Sequence, residues 1–163
     1  MPLWSHQSRA VGKSLERWSI LYLKSRGWRV SRYAPLEKER AIAGEAVKKQ
    51  SGGIVQGGPF VGLRLDFRER SWGNDAVAIK LTGLMEAELH STIELFSKKP
   101  VTQIVNVGCS DGYYALGLGV LIPSVPILAV DTDAAEISKV RTNAALNGMT
   151  ERLQCFSSME DAS

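Results

Sequence analysis

The chain has 163 residues, is 44% hydrophobic and 23% charged, and carries a net charge of +3, a composition typical of a soluble globular protein. No apolar run approaches the ~20 residues of a membrane-spanning helix, and the first residues lack a signal-peptide pattern, so a cytoplasmic location without a membrane partner is expected. The two cysteines form no C-x-x-C pair and indicate no disulfide framework.

The charge is unevenly distributed along the chain. Residues 1–50 contain 11 Lys and Arg against 4 Asp and Glu, whereas residues 51–163 contain 9 against 13. Such asymmetry is one sign of contact with nucleic acid or an acidic substrate. Here the basic residues are spread out, with no aromatic platform between them for base stacking. A solvated helix face is therefore the favoured interpretation, and nucleic acid is not an expected partner.

Residues 1–98 are predicted to form an N-terminal α+β cap. Its helices are expected at Ser8–Arg26, Leu36–Lys49, Asp75–Thr82 and Leu84–Lys98. Ile54 to Gln56 and the alternating run Phe60 to Phe67 predict a small β-hairpin, because strict alternation marks a half-exposed strand. No Pro/Gly/Ser-rich linker follows the cap, so we expect it to pack on residues 99–163 rather than to form an independent domain.

The second part of the chain alternates short apolar strands with helices. Strands and helices are predicted in the order Val101–Val107, Tyr113–Ile122, Ile127–Val130, Ala134–Leu146 and Leu153–Phe156. The first strand is almost continuously apolar, which predicts a strand covered on both faces in the middle of a sheet. The preferred right-handed β-α-β connection gives an α/β fold with a parallel sheet in the strand order 3-2-1.

The first strand is followed by a small-residue turn, NVGCSDG, and then by a helix. Such a junction offers backbone N–H groups and the positive end of a helix dipole to the anionic part of a ligand. The dinucleotide fingerprint G-x-G-x-x-G would need glycine where the chain has Ser110 and Tyr113, and no G-K-[ST] triplet is present. The second strand ends in Asp131. A ligand is expected at the carboxyl ends of these strands, above Gly108 and Asp131.

At these motifs the chain resembles the class I S-adenosylmethionine-dependent methyltransferases, over roughly Val101 to Phe156. The segments Gly58-Pro59-Phe60 and Lys80 to Leu89, together with the NVGCSDGYYA loop, look most like the FkbM-type branch. The resemblance implies a Rossmann-like domain, S-adenosylmethionine as cofactor, and methyl transfer to an unidentified acceptor that is expected to be oxygen. It also implies a sheet of about seven strands. The chain stops after three, so we expect a truncated methyltransferase that lacks its substrate-side half.

The resemblance also implies which residues hold the cofactor. They are Asn106, Gly108, Cys109, Ser110, Asp111, Gly112, Tyr113, Asp131 and Thr132. The two glycines would let the backbone approach the methionine part, with Asn106 near its amino group. Asp131 would accept both ribose hydroxyls, Thr132 would pack by the adenine, and Glu160 or Asp161 would reach the adenine amino group.

Each assignment has a plainer alternative. Gly108 and Gly112 would serve a tight turn, and Asp131 would be a helix N-cap. Cys109 is either a thiolate stabilised at a helix N-terminus or a small residue that fits the loop, and the second is favoured.

Four further polar residues have no assigned role in the reaction. Glu86 and Glu88 either line the pocket or lie on a solvated helix surface, with the surface favoured. His6 and His90 have no metal-ligand company, so both are interpreted as structural or exposed and no metal is expected. No catalytic base is assigned.

Two other functions remain open. One is a non-catalytic module that binds S-adenosylmethionine or oligomerises, and a homo-oligomer would cover the open edge of the sheet. The other is an NAD-linked oxidoreductase, which shares an acid about 20 residues after the glycines but is disfavoured by Ser110 and Tyr113. The expected substrate is a small molecule or a glycan.

Overall fold

Three short parallel strands form the centre of the described fold. The structure is a computed structural model that describes residues 34–67, 74–158 and 160. Its strands are β1 (Ile104–Val107), β2 (Ile127–Val130) and β3 (Leu153–Phe156), in the order β1-β2-β3. β1 pairs with β2 and β2 with β3, both parallel. This sheet is compatible with part of a Rossmann-like fold.

The described helices precede and connect these strands. They are α1 (Ala34–Ser51), α2 (Asn74–Thr82), α3 (His90–Ser97), α4 (Tyr113–Leu121) and α5 (Ala134–Leu146), with 3-10 turns at Ala87–Leu89 and Thr150–Arg152. The predicted bounds of β2, α5 and β3 are confirmed to the residue. The agreement is explained by strong local signals. The strands are short apolar runs, and α5 has an N-cap residue at its start and a glycine just past its C-cap.

β1 differs from its prediction. It lies at one edge of the described sheet, and Val105 and Val107 on its outer face are 49% and 60% exposed. Within the described residues, β1 is therefore an edge strand exposed on one face and not a central strand covered on both. An apolar run indicates a strand but does not specify its neighbours, and the central position belongs to β2, where Ile127, Ala129 and Val130 are buried.

The predicted helix Leu84–Lys98 is confirmed only in its second half, at His90–Ser97. Gly83 ends α2 in a left-handed conformation (φ 73°), and Glu86 is left-handed as well (φ 45°). Because a left-handed residue interrupts the helical hydrogen-bond pattern, only the 3-10 turn and the eight-residue α3 follow.

The predicted hairpin is reduced to one antiparallel bridge, between Ile54 and Arg64. It is flanked by the hydrogen bonds Val55 N–H to Leu63 O and Leu65 N–H to Gly53 O, at 2.9 and 2.8 Å. The strict alternation fails because the chain turns at Phe60 to Gly62, which buries Phe60 and exposes Val61. We call residues 53–67 the bridge segment.

The bridge segment packs on α4 and α5. A Cβ atom on Gly117 would lie 2.4 Å from the Phe60 ring, and one on Gly119 would lie 2.6 Å from Ile127 Cδ1. These two helix glycines therefore permit close packing, against the bridge segment for Gly117 and against the sheet for Gly119. Asn143 Oδ1 accepts a hydrogen bond from Asp66 N–H at 2.7 Å, which fixes the segment to α5.

The chain divides into two units, Met1–Glu39 and Arg40–Ser163. The predicted helix Ser8–Arg26, His6 and Asp161 lie outside the described residues. None of the helices in the described ranges combines the length and apolar character needed to cross a membrane.

Candidate functional site

The loop after β1 is joined directly to the end of β2. Gly108 N–H and Cys109 N–H both donate to the Val130 carbonyl oxygen, at 2.8 and 3.0 Å. Ser110 N–H donates to Asp131 Oδ2 at 2.8 Å. The glycine loop and the acid that ends the second strand, which the sequence assigned to one site, are therefore in contact.

Ser110 has a strained backbone, with φ of 49°, a region that costs a non-glycine residue roughly 1–2 kcal/mol. Its N–H is held by Asp131, and its hydroxyl donates to Glu136 Oε2 at 2.9 Å. Lys139 Nζ lies 2.7 Å from the other oxygen of Glu136. These contacts offset the cost of the strain and hold the loop open in one conformation.

Asp131 organises both strand-to-helix junctions. Its Oδ2 accepts from Ser110 N–H, and its Oδ1 accepts from Asp133 N–H at 3.0 Å. Asp133, not Asp131, is the N-cap of α5, since its side chain accepts from Ala135 N–H at 2.8 Å. An ionised carboxylate has about four acceptor sites, so two are used by the backbone and capacity remains for ligand hydroxyls.

Asp133 and Glu136 have the D-x-x-E spacing that predicts a capping box at the start of α5, and the structure confirms only its first position. Asp133 caps α5, whereas the recorded partners of Glu136 are Ser110 and Lys139. The sequence analysis missed this role because a glutamate three residues after an N-cap is normally interpreted as the second half of a capping box.

A buried ion pair anchors the loop from the other side. Lys80 Nζ lies 2.6 Å from Asp111 Oδ2, and the lysine is 5% exposed. Asp111 also accepts from Tyr113 N–H at 3.2 Å, and its carbonyl oxygen accepts from Asn143 Nδ2 at 2.8 Å. The sequence analysis missed Lys80. Lys80 was named only as the first residue of the resembling segment Lys80 to Leu89, without a role of its own.

Around this loop lies a cavity of about 180 Å³, which we call the loop cavity. Its walls are formed by Lys80, Met85, Glu86, Asn106, Gly108, Cys109, Ser110, Asp111, Tyr113 and Tyr114. No atom lies within 4 Å of the position that a Cβ atom on Gly108 would take. Asn106 Oδ1 is buried and has no hydrogen-bond partner within the described part of the chain. The cavity therefore combines open space beside a backbone with an unsatisfied acceptor.

The two glycines of the loop have different surroundings. Gly108 faces the loop cavity, but a Cβ on Gly112 would lie 3.2 Å from both Leu116 Cδ1 and Val140 Cγ1. Gly112 is thus needed for the contact between α4 and α5 and for its own left-handed conformation (φ 84°).

Of the nine sequence-predicted residues, six line the loop cavity. Gly112, Asp131 and Thr132 are not part of its wall, although Asp131 touches Ser110. Thr132 and Glu160 are exposed. The residues that were expected to hold the methionine part of the cofactor, apart from Gly112, therefore line one cavity. Asp131, which was expected to bind the ribose, lies beside this cavity.

Cys109 is buried, and this burial, together with the nearby negative charge of Asp131, raises the pKa of its thiol to about 12. The thiol is therefore neutral at physiological pH. This favours the interpretation as a small loop residue over that as a stabilised thiolate.

The structure places three of the polar residues without an assigned role, Glu86, Glu88 and His90. Glu86 and Glu88 are both exposed, but only Glu86 lines the loop cavity, where it accepts a hydrogen bond from the Tyr114 hydroxyl. His90 Nε2 lies 3.1 Å from the Met85 carbonyl oxygen, in keeping with a structural role. Within the described ranges, no group of three or more His, Cys, Asp or Glu is suited to hold a metal ion.

A larger cavity, of about 520 Å³, lies elsewhere. It is lined by Glu45, Lys48, Gly52, Gly53, Leu65, Asp66, Phe67 and Leu146. None of these belongs to a loop at the carboxyl end of a strand, where ligands of parallel sheets bind. The smaller loop cavity is therefore the better candidate.

Comparison with known proteins gives one distant relative of known activity. Over 86 residues, half of this chain, the sequence is 33% identical to the release factor glutamine methyltransferase of Deinococcus radiodurans. The match covers 31% of that protein, so the chain spans about a third of its length. No protein-family model and no solved structure match the chain. The similarity supports a relation to S-adenosylmethionine-dependent methyltransferases in general.

Proposed function

We propose that this chain binds S-adenosylmethionine at the carboxyl ends of β1 and β2 and is the cofactor-binding part of a methyltransferase. The observation that carries the proposal is the loop cavity, where Gly108 leaves the backbone open and Asn106 offers an unsatisfied acceptor. The distant methyltransferase relative supports it.

The residues present fit one end of this cofactor. The loop cavity, about 180 Å³, is smaller than the roughly 300–1,000 Å³ of pockets that enclose a drug-sized ligand. We therefore assign the aminoacyl arm to the cavity, with Asn106 as an acceptor for its amino group. The ribose would lie beside the cavity, at Asp131, whose carboxylate retains acceptor capacity.

The proposed chemistry is methyl transfer. Bound S-adenosylmethionine supplies an activated methyl group, so the protein contributes mainly alignment of that group with a nucleophile. Gly108, Asn106 and Asp131 would hold the two ends of the cofactor and so fix the position of the methyl between them. We propose an oxygen acceptor, and the glutamine in the name of the D. radiodurans relative makes an amide nitrogen the alternative to assay beside it.

The FkbM-like origin is the finer part of the proposal. The segments that carry this resemblance are far apart in the sequence, but each contributes to the wall of the loop cavity or packs against residues of that wall. Phe60 of the GPF segment packs edge-on against Tyr113 and Tyr114, at centroid distances of 5.2 and 5.7 Å. Lys80 and Glu86 of the KLTGLMEAEL run line the cavity. Shared location supports a common function for these segments.

Isothermal titration with S-adenosylmethionine tests the proposal. We expect Asp131→Ala to bind roughly 10- to 100-fold more weakly than the intact chain, because it loses charged hydrogen bonds of about 1.5–3 kcal/mol. Asp133→Ala is the matched control. It removes a carboxylate from the same junction and costs only the cap, about 1 kcal/mol of stability, so affinity should not change. Equal affinity for the intact chain and Asp131→Ala removes the site assignment, and binding of NADH instead of S-adenosylmethionine favours an oxidoreductase.

A second candidate is a cofactor-binding module that pairs with a second copy of itself. It is favoured by the exposed Val105 and Val107 on the edge strand β1, since an apolar edge can pair with another chain. Sedimentation velocity tests it. We expect a concentration-dependent dimer that Val107→Lys dissociates, whereas a monomer at all concentrations argues against this candidate.

A further inference from the structure

Glu86 is held in an unfavourable backbone conformation next to the loop cavity. Its φ and ψ are 45° and 52°, which costs a residue with a Cβ atom roughly 1–2 kcal/mol. Strained non-glycine residues persist where the surrounding structure holds them, and they occur often at ligand sites. Here the Tyr114 hydroxyl donates to Glu86 Oε2, which fixes the carboxylate at the cavity wall.

The charges around the cavity do not cancel. Three of its lining residues are charged, namely Lys80, Glu86 and Asp111. Lys80 and Asp111 form a buried pair at 2.6 Å and neutralise each other. The partner recorded for Glu86 is the phenol of Tyr114, whose pKa is raised by burial and by Glu86, so it stays a neutral donor. The cavity therefore has a net negative charge, supplied by Glu86.

Two acceptors on the cavity wall have unused hydrogen-bonding capacity. Asn106 Oδ1 is buried without a partner in the described part of the chain, and the Glu86 carboxylate has more acceptor sites than Tyr114 uses. An ammonium group has three donors, a positive charge and no acceptor. It would satisfy the amide oxygen and the carboxylate together.

We infer that Glu86 is the counter-ion for the α-ammonium group of the ligand's aminoacyl arm, with Asn106 as the second acceptor. This rests on the proposed function for the identity of the ligand. It explains how a neutral Asn106 can occupy the end of β1, because the negative charge is supplied by another segment of the cavity wall, the one between α2 and α3. Glu86 is exposed, as the sequence analysis favoured, and in this inference it is also a binding residue.

Titration calorimetry with two ligands tests this inference. Glu86→Gln keeps the size of the side chain and an acceptor for Tyr114 but removes the charge. We expect its affinity for S-adenosylmethionine to fall roughly 10- to 100-fold, as a charged hydrogen bond is lost. Its affinity for methylthioadenosine, which has no aminoacyl arm, should equal that of the intact chain. Glu88→Gln, exposed and outside the cavity wall, is the matched control and should bind both ligands normally.

A rescue experiment separates charge from structure. Asn106→Asp places a carboxylate at another position of the cavity wall, so the double variant Glu86→Gln/Asn106→Asp should regain most of the lost affinity. Loss of folding in Glu86→Gln, seen by circular dichroism, or an equal loss of affinity for both ligands, would make Glu86 structural and overturn the inference.

The inference and the proposed function fail in different ways. If the intact chain binds S-adenosylmethionine and Asp131→Ala weakens it while Glu86→Gln does not, the inference alone is wrong. If the intact chain binds neither ligand, the proposed function is wrong and the inference falls with it.

Discussion

The two strand-to-helix junctions of this sheet are built in opposite ways. The β1–α4 junction contains three left-handed residues, Gly108, Ser110 and Gly112, and opens on a cavity. The β2–α5 junction passes from Asp131 to an N-cap, Asp133, with an ordinary extended backbone (φ −90°). Strain and open space are thus found at one junction, and standard capping at the other.

The difference shows how a fold supports a strained loop. The second junction holds the first, because Asp131 binds the Ser110 N–H and Glu136 of α5 binds the Ser110 hydroxyl. α2 holds it from the other side through the Lys80–Asp111 pair. The binding geometry is therefore maintained by residues outside the loop, and the following predictions test that dependence.

The largest expected effect is that of Lys80→Met. Removing one partner of a buried pair leaves Asp111 as an uncompensated charge, so the free energy of unfolding should fall by about 3–5 kcal/mol. Urea unfolding followed by circular dichroism measures it. Lys48→Met is the control, because Lys48 pairs with the Glu45 side chain, which is 54% exposed. This variant should lower the free energy of unfolding by less than about 1 kcal/mol. Equal effects of the two variants would mean that the loop does not depend on α2.

Next in size is the contrast between Gly112→Ala and Gly108→Ala. Both place a Cβ atom at positive φ, at about 1–2 kcal/mol, but only at Gly112 does it meet Val140 and Leu116 at 3.2 Å. We expect Gly112→Ala to lose about 2–3 kcal/mol in urea unfolding. Gly108→Ala should lose less stability but bind S-adenosylmethionine more weakly, because its methyl group enters the cavity. The reverse order of stability would contradict the different roles of the two glycines.

The smallest effect is a pH dependence within the loop. Above pH 9, the ordinary pKa of a thiol, the unfolded chain loses the Cys109 proton, whereas the folded chain keeps it up to about pH 12. Stability should therefore fall as pH rises through this range, by up to ~1.4 kcal/mol per pH unit. Cys109→Ala removes this contribution, so its unfolding free energy should fall less steeply between pH 9 and 10.5. Burial also raises the pKa of Tyr113 to about 12. Tyr113 therefore contributes equally to the pH dependence of stability in the intact chain and in Cys109→Ala. If the free energies of unfolding of the intact chain and Cys109→Ala fall in parallel with pH, the folded structure does not raise the pKa of Cys109.

Local patterns in the sequence were enough to predict most of the second half of the fold. The run Ile127–Val130, the cap at Asp133 and the Asn147-Gly148 end of α5 each depend on neighbours within a few residues. The glycine loop was likewise recognised as the site of interest. Errors arose where a local pattern met a distant constraint, as at Glu86, whose left-handed backbone breaks a segment of regular helical composition.

By itself, the amino-acid sequence determined the alternation of strands and helices and the position of the glycine loop, because these follow from hydrophobic period, capping and turn residues. Only the tertiary structure decided which strand lies at the edge and which charges meet the loop. Lys80 reaches Asp111 across 31 residues, Glu86 reaches Tyr114 across 28, and Ser110 reaches Glu136 across 26. Such pairs form because packing brings their elements together, and no spacing within one element encodes them.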